Sequence, residues 1–278
     1  MPYWFEPTTV SMEVGGRTMT IETGRLAKQA AGSVVVTYGG TAVLVTAVHS
    51  KPRPGIDFFP LTVDFVEKFA AAGKIPGGFF KREGRLSDRE VLVSRFIDRS
   101  IRPLFADGYN DDTQVTATVL SSDPDSPADM CAFVGASAAL SVSDLPFLGP
   151  IGAVRIARVD GEFVINPTPE QQEGADLELI VAGSRGSIVM VEGGGSQIPE
   201  ADMLGALKHA HEEILKIIDV IEGFQKQVGK EKIVPPEADD LSDLESEIRE
   251  KAEQRLSEAF QIKAKFERSS AVKAIEKE

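Results

Sequence analysis

Runs of β-branched residues alternate with turn residues through the first third of the chain. Residues 34–38 and 41–48 are rich in valine and threonine, and Gly39 and Gly40 separate them. Two glycines between two such runs are typical of a tight β-hairpin, because glycine adopts the backbone conformations that the turn requires. A further apolar run within residues 57–65 predicts another strand.

Strand and helix signals then follow one another in mixed order. The pattern predicts a strand at 115–120, a helix of small residues at 130–142, and further strands at 151–158, 177–182 and 188–191. Such an order is typical of an α/β or α+β sandwich, in which sheets and helices share one core. The fold class that we predict is α+β.

The remainder of the chain is predicted to be helical, with one interruption. Pro199 stands at the start of an apolar stripe with helical spacing, which predicts a long helix. Residues 230–240 combine lysines, two prolines and acidic residues, and predict a linker. Residues 241–278 are highly charged and helix-like and stop without a capping residue. We therefore expect one core domain at 1–229 and the start of a truncated, small all-α domain at 241–278.

The charge of the chain is strongly negative but unevenly distributed. The 278 residues include 30 basic and 43 acidic side chains, for a net charge of −13. Phosphates repel an acidic protein, so this charge argues against binding nucleic acid over the whole surface. However, residues 74–102 hold eight basic and four acidic groups, whereas residues 103–238 hold eight basic and 22 acidic groups. Because salt screens distant charges, a local basic segment can still attract a polyanion.

Cysteine content and hydropathy limit the classes of protein. Cys131 is the one cysteine, so no internal disulfide and no zinc site of several thiolates can form. The first residues show no basic segment followed by an apolar one, and no run of about 18 apolar residues occurs. We expect no signal peptide, no contact with a membrane, and a cytoplasmic location.

The basic segment contains a loop that places aromatic rings beside cations. Two glycines precede Phe79 and Phe80, and Lys81 and Arg82 follow directly. Bases of single-stranded nucleic acid stack on such rings while the cations contact phosphates. The alternative is that the two rings anchor the loop in the core, and the pattern alone leaves both readings open.

A helix is predicted directly after this loop. Ser87 and Glu90 have the spacing of a capping box, and Pro103 marks the far end. Apolar side chains fall on one side of the helix. Three arginines fall on the opposite side: Arg95, Arg99 and Arg102. Arginine binds phosphate with two donors at once, but such a strip is also typical of a solvated face with salt bridges.

These residues resemble the polynucleotide phosphorylase family. The two segments that carry the resemblance most clearly are Gly78–Arg85 and Arg95–Phe105, and it continues through Gly135–Leu140, Pro150–Ala153 and Asn166–Thr168. It covers most of residues 5–230. The resemblance implies a ribonuclease PH-like β-α-β sandwich, followed here by part of a helical domain.

The same resemblance implies an activity for the parent protein. Members of the family carry two such core domains joined by a helical domain, and they assemble as ring-shaped homotrimers. They are nucleotidyltransferases that degrade single-stranded RNA from its 3′ end, using inorganic phosphate to release nucleoside diphosphates. Phosphate and Mg²⁺ are expected in the second core domain, and we predict no cofactor and no metal site for this chain.

The resemblance also implies that this copy of the core domain is not catalytic. The catalytic copy has a serine-rich turn that binds phosphate, whereas the aligned turn here is Pro127–Asp129. It also has an Asp-x-Asp-x-Lys strand, which here reads Asp176, Glu178 and Ile180. The lysine is missing, although the two carboxylates share a strand face and could bind Mg²⁺ weakly. We therefore predict no catalytic residue in this chain.

An RNA-binding role is what the resemblance implies for the basic segment. We carry this role onto seven residues: Phe79, Phe80, Lys81, Arg82, Arg95, Arg99 and Arg102. Two of them, Arg99 and Arg102, have the alternative of pairing with acids across a subunit interface. Two other functions stay open for the chain: a purely structural module for ring assembly, and an active phosphorolytic exonuclease.

Overall fold

The computed structural model describes residues 7–52, 55, 58–77, 82–236 and 241–278. The strands are β1 (Thr8–Val14), β2 (Arg17–Thr23), β3 (Gly32–Tyr38), β4 (Thr41–Ser50), β5 (Leu61–Glu67), β6 (Asp112–Ser121), β7 (Gly152–Val159), β8 (Glu162–Ile165), β9 (Leu177–Gly183) and β10 (Ile188–Gly195). The helices are α1 (Asp88–Ile101), α2 (Ala128–Val142), α3 (Pro169–Glu173), α4 (Glu200–Val228), α5 (Ser242–Phe260) and α6 (Lys265–Glu276). The chain divides into two compact units, Met1–Pro235 and Pro236–Glu278.

The first sheet of the larger unit has six strands in the order β1-β2-β3-β4-β6-β5. All neighbours are antiparallel except β5, which runs parallel to β6. The predicted hairpin is confirmed as β3 and β4, in which Tyr38 pairs with Thr41 across the two glycines. Gly39 has φ +57°, and a Cβ atom there would lie 2.3 Å from Ser126 Oγ. The turn therefore needs glycine both for its backbone and for its close packing.

The second sheet has four antiparallel strands in the order β10-β9-β7-β8. Three of these strands were predicted from apolar runs, and β8 extends the sheet by a short antiparallel turn back from β7. Together with the helices, the two sheets confirm the predicted α+β sandwich.

Helix α2 forms the centre of the sandwich, and every one of its residues is buried. It packs against β3 and β4 of the first sheet and against β7 of the second. A Cβ atom at Gly135 would lie 2.5 Å from Val45 Cγ2, so the helix and the sheet approach too closely for larger side chains. This close packing explains why the sequence of α2 consists mainly of alanine, serine and glycine.

Helix α4 covers the second sheet with its apolar stripe and also contacts β1. The buried residues of this stripe follow the predicted helical spacing: Ala206, Ala210, Ile214, Ile217, Ile218, Ile221 and Phe224. Pro199 is the N-cap residue of α4, one position before the predicted first turn.

The segment after α4 differs from the predicted linker at 230–240 in its first half. The backbone N–H of Lys230 donates to Val142 O at 3.1 Å, and that of Ile233 donates to Asp144 O at 2.7 Å. Lys232 Nζ donates to three carbonyl oxygens at the end of α2, those of Leu140, Ser141 and Ser143, at 2.7, 3.0 and 2.7 Å. A cation suits this position, because the last carbonyls of a helix carry partial negative charge. Residues 229–235 are therefore fastened to the larger unit.

The smaller unit contains α5 and α6. Leu256, Val272 and Ile275 line a groove between these two helices, which gives the highly charged sequence one apolar face. Among the helices of the described residues, none is long and apolar enough to cross a membrane.

Candidate nucleic-acid interface and adjoining cleft

The loop residues predicted to stack on bases fall mainly on a part of the chain without a described structure. Phe79, Phe80 and Lys81 lie outside the described residues, so stacking stays a prediction. Arg82 is described and exposed, and it forms no ion pair with any described residue.

Helix α1 begins with the predicted capping box. Ser87 Oγ accepts a hydrogen bond from the Glu90 N–H at 3.2 Å, and Glu90 Oε2 accepts one from the Ser87 N–H at 2.6 Å. The predicted capping box is thereby confirmed. It fixes the residue at which α1 begins.

The three arginines predicted on the outer face of α1 have three different environments. Arg95 is exposed and has no ion pair within the described part of the chain. Arg99 is also exposed, but it pairs with Glu192 at 2.9 Å. An exposed pair of this kind adds little stability, because water and salt screen it. Arg99 can therefore exchange its partner for a phosphate at low cost.

Arg102 makes more contacts within the protein than Arg95 or Arg99, and its predicted contact with RNA stays a prediction. Its guanidinium donates twice to Asp98, at 2.7 and 2.9 Å, and once each to the carbonyls of Phe59 and Leu61, at 3.1 Å. These four bonds use four of the five guanidinium N–H donors. Arg102 thus fastens the start of β5 to the end of α1, although its side chain is 41% exposed.

A row of polar side chains on α1 covers the outer edge of β5. Ser94 Oγ accepts from the Phe65 N–H at 2.9 Å, and Glu90 Oε1 accepts from the Glu67 N–H at 2.8 Å. Together with Arg102 at the Leu61 carbonyl, these side chains follow the four-residue spacing of one helix face. They satisfy polar groups that an edge strand otherwise presents to water or to another strand. We call this row the edge row.

A cleft lies beside α1, along the helix face that carries Arg89, Leu92 and Phe96. It consists of two adjoining cavities of about 620 and 500 Å³, which share the lining residues Phe96, Arg155 and Ile180. The first cavity reaches the turn before α2, and the second reaches the glycines of β10. The turn Pro127–Asp129 and the two carboxylates of Asp176 and Glu178, all singled out from the sequence, line this cleft.

The charged groups at the centre of the cleft neutralise one another. Asp129 is 2% exposed, and its Oδ2 accepts from Arg155 Nη2 at 2.5 Å. The other oxygen of Asp129 accepts from the Met130 N–H at 2.9 Å, at the beginning of α2. Arg155 also pairs with Glu178. Burial would lower the pKa of Arg155, but these two carboxylates outweigh it and raise that pKa above its usual value. A carboxylate of the protein thus occupies the helix N-terminus, where an oxyanion would otherwise bind.

Asp176, the other carboxylate of the strand motif, also has an arginine partner. Arg158 donates to both oxygens of Asp176, at 2.6 Å for the shortest contact, and also pairs with Asp202. The hydrogen bonds from Arg158 hold the pKa of Asp176 below its usual value. Asp176 and Glu178 therefore both have arginine partners. No group of three or more possible metal ligands occurs within the described residues.

Two residues that organise the cleft, Arg155 and Arg158, were not singled out from the sequence. A signal was present, because both lie in β7, whose neighbours in sequence are almost all apolar. A cation within a buried strand requires a partner with opposite charge. The sequence could therefore have indicated buried ion pairs here, but not which carboxylates form them.

Models of one protein family match two consecutive parts of the larger unit. The model described as "3′ exoribonuclease family, domain 1" matches residues 15–146, and the model for domain 2 matches residues 149–213. The chain belongs to the 3′ exoribonuclease family. The resemblance seen in residues 78–85 and 95–105 is thereby confirmed.

Similar proteins within this family are longer than the chain. It is 52% identical over 269 residues to a polyribonucleotide nucleotidyltransferase of Heliobacterium modesticaldum, and 50% identical over 270 residues to one of Bacillus cytotoxicus. The alignments cover 96% and 97% of this chain but only 38% of each relative. The crystal structure of rice Rrp46 superposes with a TM-score of 0.60, 15% sequence identity, and coverage of 79% of this chain and 94% of that chain. At such low identity, the likeness to Rrp46 shows the fold alone.

Proposed function

We propose that this chain is the amino-terminal part of a phosphorolytic 3′-to-5′ exoribonuclease that degrades single-stranded RNA to nucleoside diphosphates. Within that enzyme, this copy of the core domain binds and guides the RNA and contributes to a homotrimeric ring. It does not itself cleave RNA. The observation that carries the last point is the buried contact between Asp129 and Arg155.

The cleft does not suit the groups that phosphorolysis requires. Inorganic phosphate would meet the Asp129 carboxylate at the start of α2, and like charges repel at such short range. Mg²⁺ would have to displace Arg158 from Asp176 and Arg155 from Glu178. We therefore assign phosphate, Mg²⁺ and catalysis to a second core domain of the parent enzyme. The cytoplasm stays the predicted location.

The charges around α1 support RNA binding. Lys74, Arg82, Arg85 and Arg95 are exposed and form no ion pair with any described residue. Glu90, an acid in the same segment, is only 7% exposed and faces the protein. The segment therefore presents four exposed cations without a paired acid among the described residues, which favours contacts with a phosphate backbone.

The test measures how this chain binds a single-stranded oligoribonucleotide over a range of salt concentrations. We expect the affinity to fall as salt rises, because cations on the protein release counterions from RNA. Arg95→Ala should weaken binding and reduce the slope of log affinity against log salt by about 0.7, the value for one phosphate contact on a single strand. The matched control is Arg25→Ala, since Arg25 is an equally charged exposed residue that pairs with Glu22 on β2.

Two results would contradict the proposal. Absence of binding at low salt would favour the purely structural assembly module. Release of nucleoside diphosphates by this chain in the presence of RNA, phosphate and Mg²⁺ would show an active exonuclease.

A further inference from the structure

The two ends of the segment between β5 and α1 are tied together by carboxylates. Glu83 Oε1 accepts a hydrogen bond from the Phe69 N–H at 2.5 Å. Glu90 accepts from the Glu67 N–H through one oxygen, at 2.8 Å, and from the Ser87 N–H through the other, at 2.6 Å. Residues 67–69 are thereby held against residues 83–90. We call Glu83 and Glu90 the clasp.

The chemistry of Glu90 fits this double contact. Only an ionised carboxylate offers an acceptor on each of its two oxygens, whereas an amide offers one acceptor and one donor. Burial would raise the pKa of Glu90, but hydrogen bonds from the Ser87 and Glu67 backbones outweigh it and lower that pKa. Glu90 is therefore held in the charged form that both N–H groups require.

The first end of the segment is also fixed to the sheet. A short 3₁₀ turn, Phe69–Ala72, follows β5 and ends at Gly73, which has φ +66°. The Ser122 N–H, directly after β6, donates to Ala71 O at 3.0 Å. The clasp thus joins the start of α1 to a turn that the sheet already holds in place.

Acidic residues at this location oppose RNA binding through their charge, so their presence requires another explanation. Each carboxylate repels phosphates and lowers the local positive potential. Both members of the clasp nevertheless line one cavity with the exposed cations Arg82 and Arg85. Their hydrogen bonds provide a reason, because the bonds fix the backbone on which these cations are carried.

We propose that Glu83 and Glu90 are positioning residues for RNA binding, which act by holding residues 67–69 against residues 83–90 so that the exposed cations Arg82 and Arg85 keep their positions. This inference rests on the proposed RNA-binding function. It assigns to two carboxylates a contribution to the affinity for a polyanion, although neither touches the RNA.

The test compares variants that each remove one negative charge. Glu90→Gln removes one of two required acceptors, and Glu83→Ala removes the acceptor for Phe69. Glu83→Gln keeps a single acceptor for Phe69 and serves as the conservative rescue. Asp88→Asn is the matched control, because Asp88 is exposed in the first turn of the same helix.

The opposite signs of the two effects make the outcome decisive. If the carboxylates acted only through charge, all four variants would bind the oligoribonucleotide more tightly than the wild-type chain. If the clasp positions the segment, Glu90→Gln and Glu83→Ala bind about threefold to tenfold more weakly, as expected for the loss of one hydrogen bond. Glu83→Gln and Asp88→Asn then bind at least as tightly as the wild type.

Amide hydrogen exchange supplies a second readout that does not depend on RNA. Faster exchange of the Glu67, Phe69 and Ser87 amides in Glu90→Gln and Glu83→Ala, with unchanged protection of α2, shows that the clasp has opened in a folded protein. Equal RNA affinity of Glu90→Gln and Asp88→Asn overturns the positioning role while RNA binding itself stands. Absence of RNA binding by the wild-type chain overturns the proposed function, and the positioning role with it.

Discussion

Removing Asp129 or Arg155 from their buried pair should destabilise the protein by unequal amounts. The side chains are 3% and 17% exposed, and breaking a buried pair by removing one partner costs about 3–5 kcal/mol. After Arg155→Met, Asp129 keeps only the Met130 N–H, so we expect a cost near the upper end of this range. After Asp129→Ala, Arg155 keeps Glu178, so we expect a cost near the lower end, about 3 kcal/mol including the lost hydrogen bond from the Met130 N–H.

Urea unfolding followed by circular dichroism measures these costs and their coupling. The double variant should be destabilised by at least about 1–2 kcal/mol less than the sum of the two single variants, because neither charge is then left buried alone. Arg25→Ala serves as control and should change the stability by about 0–1 kcal/mol, since its ion pair is exposed. Additive single effects, or a larger cost for Asp129→Ala than for Arg155→Met, would refute this reasoning.

Two further predictions concern buried groups elsewhere in the larger unit. Lys232→Met keeps the apolar stem of the side chain but removes three hydrogen bonds. It should lower the free energy of unfolding by about 1–2 kcal/mol and speed amide exchange at Ile233. Unchanged exchange would show that the lysine does not hold residues 229–235. Burial raises the pKa of the Cys131 thiol. At a pH of about 8.5, the ordinary pKa of a thiol, the native protein should therefore not react with iodoacetamide, whereas the urea-unfolded chain should react fully. Rapid labelling of the native protein would contradict this burial.

Local patterns predicted those parts of the structure that depend on neighbouring residues. The hairpin of β3 and β4 followed from two glycines between β-branched runs, and the start of α1 followed from Ser87 and Glu90. In each case the signal and the contacts it predicts lie within a few residues of each other. However, no local pattern indicates that Glu90 also binds the Glu67 N–H, because that contact requires β5 to lie alongside α1.

Roles set by distant partners could not be predicted in the same way. Arg102 matched a strip of cations by its position on the helix, yet its partners include carbonyls 41 and 43 residues earlier in the chain. Arg155 finds Asp129 at a separation of 26 residues, and the Lys232 ammonium finds Leu140 O at a separation of 92. A helical wheel shows which way a side chain points, but only the folded structure shows which groups it contacts.

The edge row can act while the chain is still being synthesised. Strand β5 precedes α1, and α1 precedes β6, the sheet neighbour of β5. A newly made β5 would therefore expose both of its edges until residues 112–121 left the ribosome. Because α1 follows within the same stretch of chain, it can cover one edge before the other finds its strand. Unpaired edges promote misassembly in slowly formed sheets. The edge row thus places a protective contact ahead of the pairing that completes the sheet.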